Sequence, residues 1–229
     1  MKNPWVIIGI ITVVLFGGAI VYSNQAGKKS NEGVVAKEHV MQGAAGSVIL
    51  TEYSDFQCPA CAAFEPVLEE VLAKYGDKIT FEYKHYPLPI HPYAEQAALA
   101  AEAAGQQGKF FEYHHKLFAA QQDWSNAAVP QTLFIQYATE LGLDVDKFKM
   151  HMRSSILRDA VRADANEARE LGLTGTPTFF LNGQKMDIKS YEDFISQIAA
   201  AVDPASVTVS ETGSSTPETA MPADVKFGI

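Results

Sequence analysis

The chain contains two cysteines among its 229 residues, and both lie in the motif Cys58-Pro59-Ala60-Cys61. Pro59 suits the first position of a helix, so the motif is predicted to stand where a helix begins. The free backbone N–H groups and the positive dipole end at such a place favour a thiolate over a thiol. We therefore predict that Cys58 is the reacting sulfur of thiol–disulfide exchange. Cys61, one turn further along, would form a redox disulfide with Cys58 and resolve mixed disulfides.

Three other interpretations of the motif are weaker. A structural disulfide between Cys58 and Cys61 would close so short a loop that it would remove little entropy from the unfolded chain. A zinc site would need further ligands, and none of the six histidines lies at a ligand spacing from the motif. Two inert thiols would fit poorly with the start of a helix. We therefore favour redox chemistry and expect neither a metal nor a cofactor.

The charge balance and the cysteine count exclude several classes of protein. The chain has 18 Lys and Arg residues against 27 Asp and Glu residues, a formal net charge of −9. A chain this acidic, without a basic block, is a poor candidate for nucleic-acid binding, because phosphate contacts draw on clustered Lys and Arg. Two cysteines also cannot build the multiply bridged framework of a small secreted scaffold.

The N-terminal segment has no charged residue between Lys2 and Lys28, and its apolar part runs from Trp5 to Tyr22. As a helix rising about 1.5 Å per residue, this part would cover roughly 27 Å, about one hydrocarbon core. We expect residues 1–23 to form an uncleaved transmembrane anchor. The alternative is a signal peptide, although Asn24-Gln25-Ala26 would be a weak cleavage site. Charge counting does not settle the orientation, but disulfide chemistry favours the outer side of the membrane for the remaining chain.

The remaining chain divides into a linker, a folded domain and a tail. Residues 24–46 are rich in small and polar residues without a sustained apolar period, which predicts a linker. Residues 203–229 are crowded with Ser, Thr, Pro and Glu, which predicts a disordered acidic tail. Residues 47–202 have the size of a single domain.

The pattern inside this domain predicts an α/β fold. A β-rich run at 48–53, a helix from Pro59 to about Gly76 and an alternating run at 79–86 form a βαβ unit. The long block at about 92–172 contains Ala-rich and 3.6-periodic segments, which predicts a helical insertion. The chain then returns to strand at 178–181, turns at Asn182-Gly183 and closes with a helix at about 190–201.

Two stretches of sequence flank the helical block. They occur in the same order in a known family. Residues 52–61 are Glu-Tyr-Ser-Asp-Phe-Gln-Cys-Pro-Ala-Cys, and residues 172–183 are Gly-Leu-Thr-Gly-Thr-Pro-Thr-Phe-Phe-Leu-Asn-Gly. Together they resemble the DsbA-like branch of the thioredoxin superfamily over residues 47–202. The resemblance implies a thioredoxin fold with an inserted helical subdomain and an extracytoplasmic location. It also implies disulfide exchange with exported or unfolded proteins and a quinone-linked membrane oxidase as redox partner.

The resemblance assigns roles to two further pieces of sequence. Thr176-Pro177 would be a cis-proline loop that faces the cysteines and pairs with a substrate strand through its backbone. Without the resemblance, Pro177 could simply be the first residue of a strand. Ala60 stands where the strongest oxidants of the family often carry His, and its methyl group offers Cys58 neither charge nor a hydrogen bond. We therefore expect a less extreme oxidant.

Glu52 lies on the first predicted strand, which we expect to be covered on both faces. A buried carboxylate there could relay protons to Cys61 or raise the pKa of Cys61. The alternative is a surface or strand-end Glu52 held by a lysine such as Lys84. His85, His91, His114, His115 and His151 look scattered, and no role is assigned to them.

Together these observations predict a membrane-anchored, extracytoplasmic thiol:disulfide oxidoreductase, most simply an oxidase. The chain would act as a monomer, since no dimerisation domain of the kind that related isomerases need is visible. A reductase or isomerase of the same fold is the alternative within this chemistry. A non-catalytic module that binds extended peptides is the alternative from another class.

Overall fold

A mixed five-stranded sheet forms the centre of the fold in the computed structural model, which describes residues 25–204 together with Thr12, Leu15, Phe16 and Ser23. The strand order is β1-β3-β2-β4-β5; β2 runs parallel to β3, and the other neighbouring strands are antiparallel. The strands are β1 (His39–Met41), β2 (Val48–Ser54), β3 (Ile79–His85), β4 (Thr178–Leu181) and β5 (Gln184–Lys185).

The helix α1 (Pro59–Tyr75) connects β2 to β3 and starts at the cysteine motif. Cys58 is its N-cap and Pro59 its first residue, which confirms the predicted helix start. The buried side of α1 includes Phe64, whose ring lies 4.8 Å from the ring of Phe194. Phe194 belongs to the last helix, α8 (Tyr191–Val202), so α1 is fixed between the sheet and the end of the domain.

The predicted insertion consists of six helices between β3 and β4: α2 (Ala94–Gly105), α3 (Phe110–Ala119), α4 (Gln121–Ser125), α5 (Pro130–Glu140), α6 (Val145–His151) and α7 (Ser155–Glu170). Its central helix is α2, which contacts α3, α5, α6 and α7. Alanines occupy most of α2 and are buried on several of its faces, because their small side chains allow several neighbouring helices to pack close to it.

The hairpin between β4 and β5 turns at the predicted Asn182-Gly183 pair. Asn182 has φ 50° and Gly183 has φ 78°, two positive values in succession, as a two-residue type I′ turn requires. Asn182 also exchanges two hydrogen bonds with Ile49 of β2: its side-chain oxygen accepts from the Ile49 N–H, and its own N–H donates to the Ile49 carbonyl. The turn therefore fixes the end of β4 against β2.

The prediction of a linker over residues 24–46 is wrong for much of that segment. His39–Met41 forms the edge strand β1, paired with β3, and Val34 packs into the main core. The backbone of Val35 exchanges two hydrogen bonds with the Gln106 side chain. The strand is only three residues long and its most buried side chain is a histidine, so no apolar period could reveal it.

The predicted anchor, residues 1–23, lies outside the described residues except for four isolated positions, and the predicted tail lies outside them from residue 205 onward. Within the part of the chain that is described, no helix combines the length and apolarity that a membrane crossing demands.

Asn31, inside the predicted linker, holds the start of α7. Its side-chain oxygen accepts from the Ser154 hydroxyl at 2.8 Å and from the Ser155 N–H at 3.1 Å. Its amide donates to the Ser155 hydroxyl at 2.9 Å. Ser154 is the N-cap of α7 and is fully buried.

We expect Asn31→Ala to lower the free energy of unfolding by about 1–2 kcal/mol, because it leaves a buried cap hydroxyl without its acceptor. Urea denaturation of the purified protein measures this change. Glu32→Ala, at an exposed neighbouring position, is the matched control and should stay within about 0.5 kcal/mol of the wild type. Equal effects of the two substitutions would mean that residues around 31 are not held against the domain.

Candidate active site

Both cysteines lie where β2 passes into α1, and they differ in exposure. The backbone of Cys58 is extended, with φ −72° and ψ 121°, and Cys61 lies one helical turn further on. Cys58 is 7% exposed and Cys61 1%, and both carry free thiols. Pro59 is exposed and Ala60 partly exposed between them, so solvent reaches the site from this side.

The loop before β4 covers Cys58, as the sequence predicted. The peptide bond between Thr176 and Pro177 is cis. In its protonated form, Cys58 donates from Sγ to the Thr176 carbonyl oxygen at 3.4 Å, across 118 positions of sequence. This contact brings the loop and the cysteine motif together at one site. Pro177 lies immediately before β4 and is not its first residue, and its part in binding substrate stays a prediction.

The two sulfurs are arranged to ionise differently. A hydrogen bond from the Cys61 thiol lowers the pKa of Cys58 to about 6, against the opposing effect of burial. Hydrogen bonds from the Thr176 side chain and from the backbone of Cys61 and Ala60 lower it further. Burial raises the pKa of Cys61 well above its usual range, and the hydrogen bond that Cys61 gives to Cys58 raises it further. Cys58 is therefore the thiolate at neutral pH, and Cys61 remains the thiol.

Glu52 lies in the middle of the sheet, opposite Tyr83 of β3 and Phe179 of β4, and is 2% exposed. Burial raises the pKa of Glu52 to about 8, and the nearby carboxylate of Glu65 adds to the shift. The negative charge of Glu52 in turn raises the pKa of Cys61, so the two groups interact electrostatically.

The alternative role for Glu52, a strand-end carboxylate held by Lys84, is wrong. The Lys84 ammonium lies 3.5 Å from Asp164 and 3.3 Å from Glu167, both on α7. Glu52 instead has one carboxylate oxygen that is buried without a hydrogen-bond partner. Its relay of protons to Cys61 stays a prediction.

Asp55 organises the turn that leads into the cysteine motif. One of its carboxylate oxygens accepts from the Gln57 N–H at 2.7 Å, and its backbone carbonyl accepts from the Cys58 N–H at 3.0 Å. The other oxygen accepts from the Leu88 N–H at 2.8 Å and pairs with His91 Nδ1 at 2.7 Å. The hydrogen bond to Asp55 raises the pKa of His91, and the Cys58 thiolate contributes in the same direction. A protonated His91 would place a positive charge near Cys58.

Gln121, the first residue of α4, holds the same turn from the insertion. Its side-chain amide donates to the carbonyl oxygens of Phe56 and Cys58, each at 2.8 Å, and the side chain is almost fully buried. The insertion therefore fixes the backbone on both sides of Gln57, immediately before α1 begins.

Comparison with known proteins identifies the family. A family model described as thioredoxin matches residues 35–200, well over half of the chain. The chain belongs to the thioredoxin superfamily. Two solved structures show that this thioredoxin-superfamily chain has a DsbA-like fold. The crystal structure of alpha-DsbA1 from Wolbachia pipientis has a TM-score of 0.63 at 23% identity and covers 78% of this chain and 98% of that one. Oxidised BdbD from Bacillus subtilis has a TM-score of 0.64 at 19% identity and covers 75% and 94%.

Relatives of higher identity are much longer proteins. A protein named Na(+)/H(+) antiporter NhaA 1, from Mycobacterium sp. (strain KMS), is 36% identical over 154 residues, which cover 65% of this chain and 24% of that protein. This thioredoxin-superfamily chain thus spans about a quarter of the length of the curated relatives it matches.

Sequence reasoning found the two cysteines, the proline loop and Glu52, but it missed the residues that hold them. Asp55 could have been suspected, because it lies three positions before Cys58 in the stretch that carried the resemblance. The sequence positions of His91 and Gln121 do not indicate a role in the site, since each reaches the site only through the fold of the insertion.

Apart from His91 and His151, the histidines predicted to be scattered lie together with glutamates in two clusters. The side chains of these clusters are buried or half-buried. Either cluster offers three nitrogen and oxygen atoms within 4.8 Å of one another, close enough to share a metal ion: His39, His85 and Glu102 in one, and Glu65, His114 and His115 in the other. In the second cluster, burial raises the pKa of Glu65, but the imidazoles of His114 and His115 outweigh it and bring that pKa down to about 2.

We expect the rate of Cys58 alkylation in the reduced protein to follow a titration with its midpoint near pH 6, because the hydrogen bond from Cys61 stabilises the thiolate. The thiolate is present above this pH and lost below it. Iodoacetamide labelling with mass spectrometry measures the midpoint and identifies the labelled sulfur. Cys61→Ala, which removes the largest stabilising contact, should move the midpoint upward. A wild-type midpoint near the ordinary cysteine value of roughly 8.5 would contradict the arrangement.

Proposed function

We propose that the protein is a thiol:disulfide oxidoreductase that works as an oxidase on exported or unfolded proteins. The observation that carries the proposal is the unequal pair of sulfurs: Cys58 has its pKa lowered to about 6 beneath the Thr176-Pro177 loop, and Cys61 is buried with its pKa raised. An accessible low-pKa sulfur followed by a buried resolving sulfur is what dithiol–disulfide exchange requires.

The reaction begins with the Cys58–Cys61 disulfide. A substrate thiolate attacks Cys58 Sγ, a bond forms between these two sulfurs, and Cys61 leaves and takes up a proton. A second substrate thiolate then attacks the substrate sulfur of the mixed disulfide and releases Cys58 as a thiolate. The substrate loses two electrons and gains a disulfide, while Cys58 and Cys61 are reduced. The low pKa of Cys58 makes it the better leaving group in the second step.

The same pKa supports the oxidising direction. Stabilising the Cys58 thiolate stabilises the reduced protein, which makes the disulfide a stronger oxidant. A pKa of about 6 lies between values of roughly 7 and 3.5 for a typical reductant and a strong oxidant of this superfamily. This intermediate pKa supports a reduction potential within the range of about −270 to −120 mV, below the most oxidising value of that range. Ala60 agrees with this, since its methyl group does not stabilise the Cys58 thiolate.

The substrate strand would pair with the backbone beside Pro177. Thr176 offers its carbonyl oxygen to Cys58, and Thr178 begins β4, so an extended chain that reaches Cys58 would run alongside this loop. Main-chain pairing tolerates many side chains, which suits a protein that acts on diverse unfolded substrates.

The proposed location is the outer face of a membrane, with the domain held there by residues 1–23. The uncharged, apolar run from Trp5 to Tyr22 supports an anchor, and disulfide exchange as an oxidase supports an oxidising compartment. A quinone-linked membrane oxidase would then accept electrons from the reduced Cys58 and Cys61, and the chain would act as a monomer.

Glu52 is proposed to supply the proton that the leaving Cys61 sulfur needs. Its buried carboxyl group holds a proton up to about pH 8 and interacts electrostatically with Cys61. A group with this pKa can act as a general acid at neutral pH.

We expect Cys61→Ala to trap substrate proteins in mixed disulfides. The Cys58 thiolate attacks a disulfide already present in a substrate, one substrate sulfur leaves as a thiolate, and no Cys61 thiol remains to release the substrate that stays bound to Cys58. The trapped species appear as high-mass bands on non-reducing gels of cells that express the full chain, and they disappear with a reductant. Cys58→Ala is the matched control and should trap nothing. A Cys61→Ala protein that traps nothing, while the wild type still binds unfolded peptides, would identify a non-catalytic binding module.

The redox state of Cys58 and Cys61 in the same cells decides the direction of exchange. Acid quenching followed by alkylation should show mostly disulfide if the protein is an oxidase. A mostly reduced pair would instead support a reductase or isomerase supplied with electrons.

We expect Glu52→Gln to slow reduction of the Cys58–Cys61 disulfide by substrate thiols roughly tenfold or more at pH 7, because the amide cannot donate a proton to Cys61. The effect should shrink above about pH 8, where Glu52 of the wild type has itself lost its proton. Stopped-flow rates from pH 6 to pH 9 measure this profile. Glu82→Gln is the matched control, since it can still accept the hydrogen bond from Thr51 on the same sheet. An unchanged rate and pH profile in Glu52→Gln would remove the relay.

A further inference from the structure

Three donor side chains from three separate elements meet beneath the edge of the sheet: His39 from β1, His85 from the end of β3 and Glu102 from α2. Glu102 Oε1 lies 2.7 Å from His39 Nε2 and 3.2 Å from His85 Nε2. His85 and Glu102 are each 1% exposed, and His39 is 8% exposed. The two ring nitrogens and the carboxylate oxygen lie within 4.8 Å of one another.

The hydrogen bonds among these three side chains leave one carboxylate oxygen of Glu102 without a partner. Both imidazoles approach the same oxygen of Glu102, while the other oxygen, Oε2, is buried without a hydrogen-bond partner. A buried carboxylate oxygen without a donor is costly. Aromatic rings close the cluster on other sides: Phe110 stacks on His39, and Tyr83 meets His85 edge-on at 5.2 Å between ring centroids.

A small cavity of about 90 Å³ reaches the cluster from the protein surface and is lined by His39 and Glu102 themselves. Four carboxylates and two lysines line it: Glu38, Glu82, Glu102 and Asp164, and Lys37 and Lys84. Lys84 is already paired with Asp164 and Glu167. The cavity therefore has an excess of negative charge, which favours a cation, and it leaves room for a water molecule at a further coordination position.

We propose that His39, His85 and Glu102 bind a divalent transition-metal ion of the zinc type. Two imidazole nitrogens and one carboxylate oxygen form a donor set that such ions accept, with a fourth position left for water from the cavity. Tetrahedral ligand atoms at about 2.0–2.2 Å from Zn²⁺ lie roughly 3.3 Å apart. The 3.2 Å separation between His85 and Glu102 meets this distance, and the 2.7 Å separation between His39 and Glu102 would widen by about 0.6 Å.

The ion would connect the short edge strand β1 to β3 and to the central helix of the insertion. Such a site stabilises the fold and takes no part in the exchange of disulfides at Cys58.

The test uses the full chain carrying Cys58→Ser and Cys61→Ser, so that the thiolates cannot bind metal. After removal of metal with a chelator, Zn²⁺ titration by calorimetry and the visible absorption of bound Co²⁺ measure uptake. We expect one ion per chain. Addition of His85→Ala or Glu102→Gln should lower the affinity about 100-fold or more, because each removes a ligand. His151→Ala, a buried histidine outside the cluster, is the matched control and should bind as the parent does.

Thermal unfolding of the parent chain tests the proposal even if the variants do not fold. A 100-fold excess of free Zn²⁺ over its Kd should raise the melting temperature of the parent chain by about 5 °C or more. No uptake and no rise in melting temperature would overturn the proposal and leave a hydrogen-bonded polar contact in the core. Binding that survives His85→Ala, or that is lost in His114→Ala instead, would place the ion elsewhere and would overturn it equally.

Discussion

The hydrogen bond from the Cys61 thiol to Cys58 is the interaction on which the rest of the site depends. Two chemically identical side chains, three positions apart, acquire opposite properties because one is a donor in the low-dielectric interior and the other an acceptor at the rim. The backbone at the helix start and the Thr176 side chain lower the pKa of Cys58, and burial raises the pKa of Cys61. The lowered pKa makes Cys58 the better leaving group when a mixed disulfide is resolved.

The burial of Glu52 in the sheet lowers the stability of the fold. Glu52 occupies a central strand position where an apolar side chain would stabilise the fold better, and its pKa of about 8 shows that the interior strongly disfavours its charge. The position fits the proposed proton relay, because a neutral buried carboxyl group can give up a proton at neutral pH. The same environment that makes Glu52 unfavourable for stability makes it suitable for proton transfer.

The helical insertion does more than cover one face of the sheet. Through Gln121 it fixes the carbonyl groups on both sides of Gln57, and the loop that leads into it supplies His91 to Asp55. Through Glu102 it also reaches β1 at the far edge of the sheet. The segment before β2, held by Asn31, Val35 and His39, is therefore part of the same folded unit.

The amino-acid sequence by itself determined the features that depend on neighbouring residues. Cys58, Pro59 and Cys61 predicted a reactive helix start, Asn182-Gly183 predicted the hairpin, and the periodic block predicted the insertion, because capping, turns and periodicity act within a few positions. The proline loop was found through family resemblance. Only the tertiary structure decided how strongly the pKa values of the two cysteines differ, how deeply Glu52 is buried and which histidines meet. Those properties arise from contacts across 118 positions for Cys58 and Thr176, or 63 for His39 and Glu102. Burial and charge pairing at such separations follow from how the whole chain packs, and no local pattern of residue types encodes them.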